Sequence, residues 1–328
     1  MLMPAIVVNP LDLERAVRCL RAGGLVAFPT ETVYGLGADA ERAEAVQRIF
    51  EVKGRPFEHP LIVHLGDVAE LSAWAKQVPE TAQRLADAFW PGPLTLIVER
   101  SERVAPNVTG GLPTVGLRVP DHPVALQLLQ RFGGGVAAPS ANRFGKVSPT
   151  RAEHVRQDLG SDVDVIVDGG PCRVGVESTI VDVTSAAPRI LRHGGISRER
   201  LEDVLGEAVP FASSGPVRAP GQLEAHYAPR AEVILVSIEE APDRARALAR
   251  AGRKVLLLSS RDLPLGAGIL QRTLPAEPEG FARQLYAALR DADALGCDAV
   301  IACPPAEAGV GAAIRDRLRR AAAGSKRR

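Results

Sequence analysis

The chain has 328 residues, 46% hydrophobic, 24% charged and 4% aromatic, and 40 Lys+Arg against 39 Asp+Glu leave a formal net charge of +1. At about 150 residues per domain this predicts two domains with cores of their own, and the apolar content excludes a disordered chain. No apolar run approaches the roughly 18 residues of a membrane span, Met1 to Pro10 lacks a signal peptide's long apolar stretch, and near-neutrality argues against a coat of positive charge for nucleic acid.

In chain order, Asn9 followed by Pro10 predicts a helix start, with Leu13, Ala16, Val17 and Leu20 as its apolar face and Gly23-Gly24 as its stop. Strands are predicted at Leu25–Phe28, Leu61–Leu65, Leu94–Glu99, Val115–Val119, Val136–Ala138, Val163–Val167, Thr179–Val183 and Ile190–Arg192. Helices at Glu41–Val52, Val68–Ala75, Glu80–Phe89, Val124–Phe132, Arg151–Leu159 and Arg198–Leu205 lie among them. Residues 1–206 therefore form an α/β domain on a twisted mixed sheet. From 207 to 230 the periodicity stops and Pro and Gly accumulate, as in a tether or a lid. Residues 231–328 alternate again, with strands Glu232–Ser237, Lys254–Ser259, Ile269–Leu274 and Ala299–Ala302. Helices at Pro242–Ala251, Gly280–Leu295 and from Ala312 complete a smaller, largely parallel Rossmann-like sheet.

Cys19, Cys172, Cys297 and Cys303 are scattered without metal-ligand spacing, which predicts free thiols in a reducing cytosol and no zinc. The basic residues after Ala313 (Arg315, Arg317, Arg319, Arg320, Lys326, Arg327, Arg328) suggest a solvated helix face and a frayed end, with RNA contact as the rarer reading. Gly35-Leu36-Gly37-Ala38-Asp39-Ala40 fits a dinucleotide fingerprint on paper, but Pro29 to Tyr34 separate it from the preceding strand.

Six polar segments at strand ends carry the chemical signal. Pro29-Thr30-Glu31-Thr32-Val33-Tyr34-Gly35-Leu36-Gly37 sets two hydroxyls and a carboxylate beside flexible glycines; helix capping accounts for either Thr alone but not for the run. Lys53-Gly54-Arg55-Pro56 presents two cations at a helix C-terminus, where they also suit the dipole. It is followed by Pro60-Leu61-Ile62-Val63-His64, whose histidine is by default a core residue. Arg118 in Gly116-Leu117-Arg118-Val119-Pro120 is an arginine inside an apolar strand, costly unless paired or holding an anion. Ala137-Ala138-Pro139-Ser140-Ala141-Asn142, with Lys146 and Ser148 beyond it, suits phosphate. Val176-Glu177-Ser178-Thr179-Ile180 and Arg192-His193-Gly194-Gly195 complete a polar, cationic cleft.

Taken in order, P-T-E-T-V-Y-G-L-G, K-G-R-P with P-L-I-V-H, W-P-G-P-L-T at Trp90–Thr95, G-L-R-V-P, A-P-S-A-N, V-E-S-T-I and R-x-G-x-I at Arg192–Ile196 resemble the YrdC domain. The segment Ala219–Pro229 with H-Y-A-P, and the second α/β pattern, resemble the two-domain Sua5 form of that family. The resemblance implies synthesis of L-threonylcarbamoyl-adenylate and diphosphate from L-threonine, bicarbonate or CO2, and ATP. It further implies a cytoplasmic enzyme; because no Asp/Glu cluster is evident for a protein cage, Mg2+ is expected to be carried largely by the ATP phosphates. A downstream tRNA threonylcarbamoyl transferase complex then acts at adenosine 37 of ANN-decoding tRNAs (t6A). Position by position, Thr32, His64, Arg118, Ala138 and Ser178 match threonine-contacting sites. Arg55, His59, Thr114, Ser140, Ser148, Arg192 and Tyr227 match ATP-contacting sites. Lys53, Arg55, Ser140 and Asn142 match the K-x-R…S-x-N signature of activity, and the family's linker closes with Tyr227 over the nucleotide. His59 stands where many members have Asn, and Ala219 and Gln222 replace Ser and Met of an S-P-G-M linker.

Other readings differ in class. A double-stranded RNA or tRNA-binding module would show salt dependence and no ATP consumption. A carbamoyl-adenylate enzyme of hydrogenase maturation would carry acylphosphatase-like and zinc-finger segments that this chain lacks. In a third reading the C-terminal domain is a ligand sensor.

Overall fold

Side chains alternate across a strand, and that alternation sorts the first half of the chain onto two unlike sheet faces. The computed structural model describes residues 6–9, 11–212, 220–221 and 223–325. Pro10, Ala219, Gln222, Lys326, Arg327 and Arg328, which figure in the readings above, lie outside them. The elements are β1 (Ile6–Val8), α1 (Leu13–Arg21), β2 (Val26–Phe28), β3 (Gly35–Asp39), α2 (Ala43–Lys53), β4 (Ile62–His64), α3 (Leu71–Trp74), α4 (Glu80–Phe89), β5 (Leu94–Glu99), β6 (Thr114–Arg118), α5 (Pro123–Phe132) and β7 (Val136–Ala137). Then come α6 (Ala152–Leu159), β8 (Val165–Val167), β9 (Thr179–Asp182), β10 (Arg189–Arg192), α7 (Arg198–Leu205), β11 (Glu232–Leu235), α8 (Ala241–Arg250), β12 (Val255–Ser259), β13 (Ile269–Thr273), α9 (Pro278–Ala294), β14 (Ala299–Ala302) and α10 (Gly311–Ser325). The described residues fall into two compact units: those within 1–144, 149–173 and 177–222, and those within 145–148, 174–176 and 223–325.

The first unit holds a ten-stranded mixed sheet in the order β1-β8-β2-β3-β7-β4-β6-β5-β9-β10, the twisted α/β architecture expected. One face sends Leu36, Val63, Leu96, Val98, Leu117, Ala137 and Val181 into the main core with helix residues such as Val46, Ile49, Leu85 and Leu201. On the other face, Val8, Val26, Phe28, Val136 and Ala138 pack with α1 and α5 through Leu13, Val17, Ala125 and Leu129. Farther along that second face the apolar patch shrinks to Ile62, Ile97, Ile180 and Leu191. The polar residues of β4, β6 and β10 fall around this patch.

Three details differ from the sequence reading. The glycines of G-L-G are not flexible: they lie in β3, where a Cβ on Gly37 would come within 2.7 Å of Val136 Cγ1 and 2.8 Å of Phe28 Cε1. A strand whose alternate residues must be hydrogen has no apolar alternation to read. Asn9 does not cap α1; its Oδ1 accepts from Leu11 N at 3.0 Å, and Asp12 precedes the helix. The run after Ala313 is not a uniform solvated face, because Arg317 is fully buried with its Nη1 on Asp316 at 2.5 Å and its guanidinium 5.0 Å from the Tyr227 ring centre.

The second unit holds four parallel strands in the order β11-β14-β12-β13. On one face α8 packs through Ala241, Ala245 and Leu248 against Val255, Leu257, Ala299 and Ile301. The alternate residues Val233, Leu256, Leu258, Val300 and Ala302 are buried too, on the face where α10 lies along β11 and α9 against β14. Strands buried on both faces read as continuous apolar runs, as these do.

Candidate active site

A guanidinium buried in an apolar sheet needs oxygen partners, and those of Arg118 define the first part of the site. Arg118 ends β6 beside His64, its register partner on β4, and is 4% exposed. Its Nη2 donates to Glu31 Oε1 at 2.6 Å and to Thr32 Oγ1 at 3.0 Å, and its Nε to the Gly92 carbonyl at 3.3 Å. Nη1 forms no hydrogen bond among the described residues, so its two N–H groups remain available. The two side-chain acceptors come from the turn between β2 and β3. Thr30 Oγ1 donates to the Val33 carbonyl at 2.6 Å, so the 2.8 Å contact of the two hydroxyls has Thr32 as donor to Thr30. Thr32 thus holds its oxygen toward Arg118 in one fixed orientation.

Two buried atoms here have unused capacity. Glu31 Oε2 and His64 Nδ1 find no hydrogen-bond partner among the described residues. Burial, helped by the neighbouring Arg118 charge, pushes His64 down to about 3, so its imidazole is neutral. Phe28 meets it edge-on, with ring centres 5.9 Å apart. His64 is therefore not the satisfied core histidine that its strand suggested.

A second constellation lies across β5, β9 and β10. Arg192 Nη2 donates to Ser178 Oγ at 2.9 Å and its Nε to the Ser178 carbonyl at 3.0 Å. Thr95 Oγ1 lies 2.8 Å from the same Ser178 hydroxyl, and Arg192 Nη1 donates to the Pro220 carbonyl at 3.1 Å. Between β4, β6 and β5, Gly116 leaves the floor low: a Cβ there would sit 3.2 Å from Thr95 Cγ2 and 3.4 Å from Ile62 Cγ1.

The third constellation orders the loop after β7. Lys53, at the end of α2, is 3% exposed and donates to the Ser140 carbonyl at 2.5 Å and to the Asn142 carbonyl. Burial, with Arg55 as the next cause, pushes its ammonium well below the usual lysine range. Arg55 donates from Nη2 to Pro60 O at 3.0 Å and from Nε to His59 O at 3.3 Å, with its head 5.6 Å from the Phe144 ring centre. His59 meets the same ring edge-on at 5.5 Å. The loop is also sewn to the threonine-rich turn, since Ala141 N donates to Tyr34 O and Leu36 N to Pro139 O, both at 2.8 Å. The hydroxyls of Ser140 and Thr114 take no partner among the described residues, and Ala138 N donates to Ile62 O at 2.8 Å.

The structure thus joins Thr32 to Arg118, which lies beside His64 in register, Ser178 to Arg192, Lys53 to Ser140 and Asn142, and Arg55 to His59. Ser148, Lys146 and Tyr227 belong to the second unit. There Ser148 O accepts from Arg290 Nε at 3.5 Å. Tyr227 has a left-handed backbone (φ 60), a conformation that costs a non-glycine residue about 1–3 kcal/mol. Its ring is held by His226 at 4.1 Å, Tyr286 at 5.8 Å and Arg317. The residues missed from the sequence are Glu31 and Thr95. A buried Arg118 called for a counter-charge, and Glu31 inside P-T-E-T was the available one.

An oriented arginine with one free edge, a neutral histidine and hydroxyl-bearing loops suit a small substrate with carboxylate and hydroxyl groups. A family model described as telomere recombination, for Sua5, YciO and YrdC, matches residues 18–194. One described as threonylcarbamoyl-AMP synthase, C-terminal domain, matches residues 196–323. The threonylcarbamoyl-AMP synthase of Pyrococcus abyssi is 45% identical over 315 residues, covering 92% of this chain and 91% of the relative. That of Bacillus subtilis is 42% identical over 332 residues, covering 96% and 94%. The crystal structure of P. abyssi Sua5 complexed with L-threonine superposes with a TM-score of 0.92 at 41% identity, covering 98% of each chain. The chain belongs to the Sua5/YrdC family.

Proposed function

We infer that the chain is a threonylcarbamoyl-AMP synthase, joining L-threonine, a one-carbon unit and ATP into threonylcarbamoyl-adenylate with release of diphosphate. The observation that carries the threonine half is the Arg118 fork, fixed on one side by Glu31 and Thr32 and left with Nη1 for a carboxylate. Such a charge-assisted contact gives orientation as well as energy. His64, held neutral, is a recognition group for the threonine hydroxyl and a poor base at pH 7. Ser178, fixed by Arg192, offers the substrate a polarised hydroxyl, and Ala138 contributes only backbone.

In the chemistry we propose, the threonine nitrogen bonds to the carbon of CO2, supplied directly or from bicarbonate, and loses a proton. A carbamate oxygen then attacks the α-phosphorus, and the bond to the β-phosphate breaks as diphosphate leaves. Charge accumulates on phosphate oxygens, so oriented cations and donors dominate the rate. We assign that task to Lys53, Arg55, Ser140 and Asn142, with His59, Thr114, Ser148, Arg192 and Tyr227 as nucleotide contacts. Lys53 acts by fixing the Ser140–Asn142 loop through its two carbonyls. The hydroxyl, amide and guanidinium groups in this set fit phosphate oxygens and not a bare divalent ion. Mg2+ would therefore be held by the triphosphate and would neutralise the leaving diphosphate.

We place the chemistry in residues 1–206, with 207–230 as the linker and lid, 231–328 as the accessory domain, and the enzyme in the cytoplasm. The unstable adenylate has to be consumed by a group-transfer system, which we take to be a tRNA threonylcarbamoyl transferase complex forming t6A at adenosine 37 of ANN-decoding tRNAs. Mass spectrometry of the product from ATP, threonine and bicarbonate tests the reading. Diphosphate release should require both threonine and bicarbonate, and ATP turnover indifferent to threonine would overturn it.

A further inference from the structure

The second unit carries a crevice that the chemistry above does not use. β11 and β14 are adjacent and parallel, yet the helices that follow them, α8 and α10, lie on opposite faces of the sheet. Beyond the carboxyl ends of two such strands the connections diverge, and open α/β sheets take ligands in that gap. Here the gap is a cavity of about 360 Å3, lined by Leu235 at the end of β11, Ser237 and Glu240 beyond it, Pro304 beyond β14, and Arg315 and Arg319 of α10. Across Leu235 and Arg319 it continues into a second cavity of about 590 Å3, of mixed charge, which Arg244, Glu224 and Glu232 also line.

The charges select the ligand. Arg315 commits its Nε to the Pro305 carbonyl at 2.6 Å, and the rest of its fork has no partner among the described residues. Arg319 reaches Glu307 only at 3.7 Å, and both of those side chains are more than half exposed, a contact worth little. Four residues apart, the two guanidinium groups share one flank of α10. Glu240 at the mouth turns its Oε2 to the Ser237 N–H at 3.1 Å and the Ser237 hydroxyl at 2.9 Å, and forms no ion pair with either arginine among the described residues. The amides that open α10 are used locally, Gly311 N on Ala308 O and Ala312 N on Gly309 O. An anion is therefore drawn to the arginines and not to the helix end.

We propose that this crevice binds a small organic anion, a phosphate- or carboxylate-bearing metabolite, through the forked groups of Arg315 and Arg319. The other flank of the same helix holds the Tyr227 segment. Arg317 lies over the Tyr227 ring, Arg320 O accepts from His226 N at 3.3 Å, and a Cβ on Gly324 would approach Ala228 Cβ to 2.8 Å. A ligand clamped at Arg315 and Arg319 therefore bears on the helix that fixes the Tyr227 backbone.

Hydrogen–deuterium exchange on the full chain tests this, with inorganic phosphate, ribose 5-phosphate and citrate as millimolar probes and the double variant R315A/R319A as control. At least one probe should slow exchange about threefold or more in peptides covering 235–240 and 311–319. The variant, whose unfolding midpoint should match that of the parent, should lose this protection. Response to ribose 5-phosphate but not citrate marks the ligand as a phosphate ester, and the reverse marks a carboxylate. Protection by none of the probes, or protection that survives in R315A/R319A, overturns the proposal; a response to inorganic phosphate alone means an adventitious ion only and overturns it as well. Because the readout is local exchange, the result stands apart from whether the chain makes an adenylate.

Discussion

The two sheets treat polar groups in opposite ways. In the parallel sheet of the second unit both faces are apolar, and the one buried arginine of α10, Arg317, is paired with Asp316, while Arg319 stands at the rim. In the mixed sheet of the first unit, Glu31, Lys53, Arg118 and Arg192 are nearly inaccessible, and Glu31 Oε2 and His64 Nδ1 are left without partners. Burying a polar atom unsatisfied costs about 1–3 kcal/mol, so a face that keeps two of them within one cluster is built for a ligand that completes it. The largest test of the contrast is Arg118→Ala. Threonine-dependent diphosphate release should fall by about 10^2–10^3-fold. Stability should drop by about 3–5 kcal/mol, because Glu31 stays buried without its cation. In the double variant with Glu31→Gln the melting temperature should recover while activity stays lost. Activity that returned with stability would make the pair a structural feature only.

Next in size are Lys53→Ala and Arg55→Ala, each expected to reduce turnover by on the order of a hundredfold. Lys53→Met separates two explanations, since it keeps the stem and removes the donors to the Ser140 and Asn142 carbonyls. If the loop is what Lys53 contributes, hydrogen exchange over 138–144 should quicken in the substrate-free protein. Unchanged exchange with lost turnover would assign the lysine directly to phosphate.

How much of this was legible follows from the same contrast. The helices and most strands of both units announce themselves through apolar periodicity, as in α1 with Leu13, Val17 and Leu20. β3 does not, because close approach of Val136 and Phe28 demands glycine where a strand would show side chains. The candidate site residues stand at motif positions, and Arg118 is legible as an arginine out of place in an apolar strand. Their partners were not: the Arg192–Ser178 and Lys53–Ser140 pairs join residues 14 and 87 apart in sequence. The crevice at β11 and β14 has no motif at all; it arises from strand order, which local periodicity does not encode.

A pH effect of middle size should separate the units. His64 titrates near 3 in the folded chain against about 6.5 unfolded, so between those values only the unfolded state binds the proton. Its contribution to stability is therefore complete above pH 6.5 and is lost as pH falls toward 3. From pH 6.5 to pH 5 the loss should reach about 2 kcal/mol at about 1.4 kcal/mol per unit. Urea unfolding of the parent and His64→Gln at both pH values measures it. Equal acid sensitivity in the two proteins would mean that His64 is not held neutral.

The smallest effect is expected where the second unit satisfies its own backbone. β11 is an edge strand, and its Val233 N–H, facing away from β14, is taken up by Ser325 Oγ near the end of α10 at 3.0 Å. Edge amides are otherwise a template for unwanted pairing, so this hydroxyl both closes the edge and ties down the helix end. Ser325→Ala should cost about 1 kcal/mol and leave turnover in the first unit unchanged, read by urea midpoint and diphosphate release in parallel. A turnover loss comparable to that of Lys53→Ala would mean that the chemistry depends on how α10 is anchored, and the division between a sheet that works and a sheet that supports would fail.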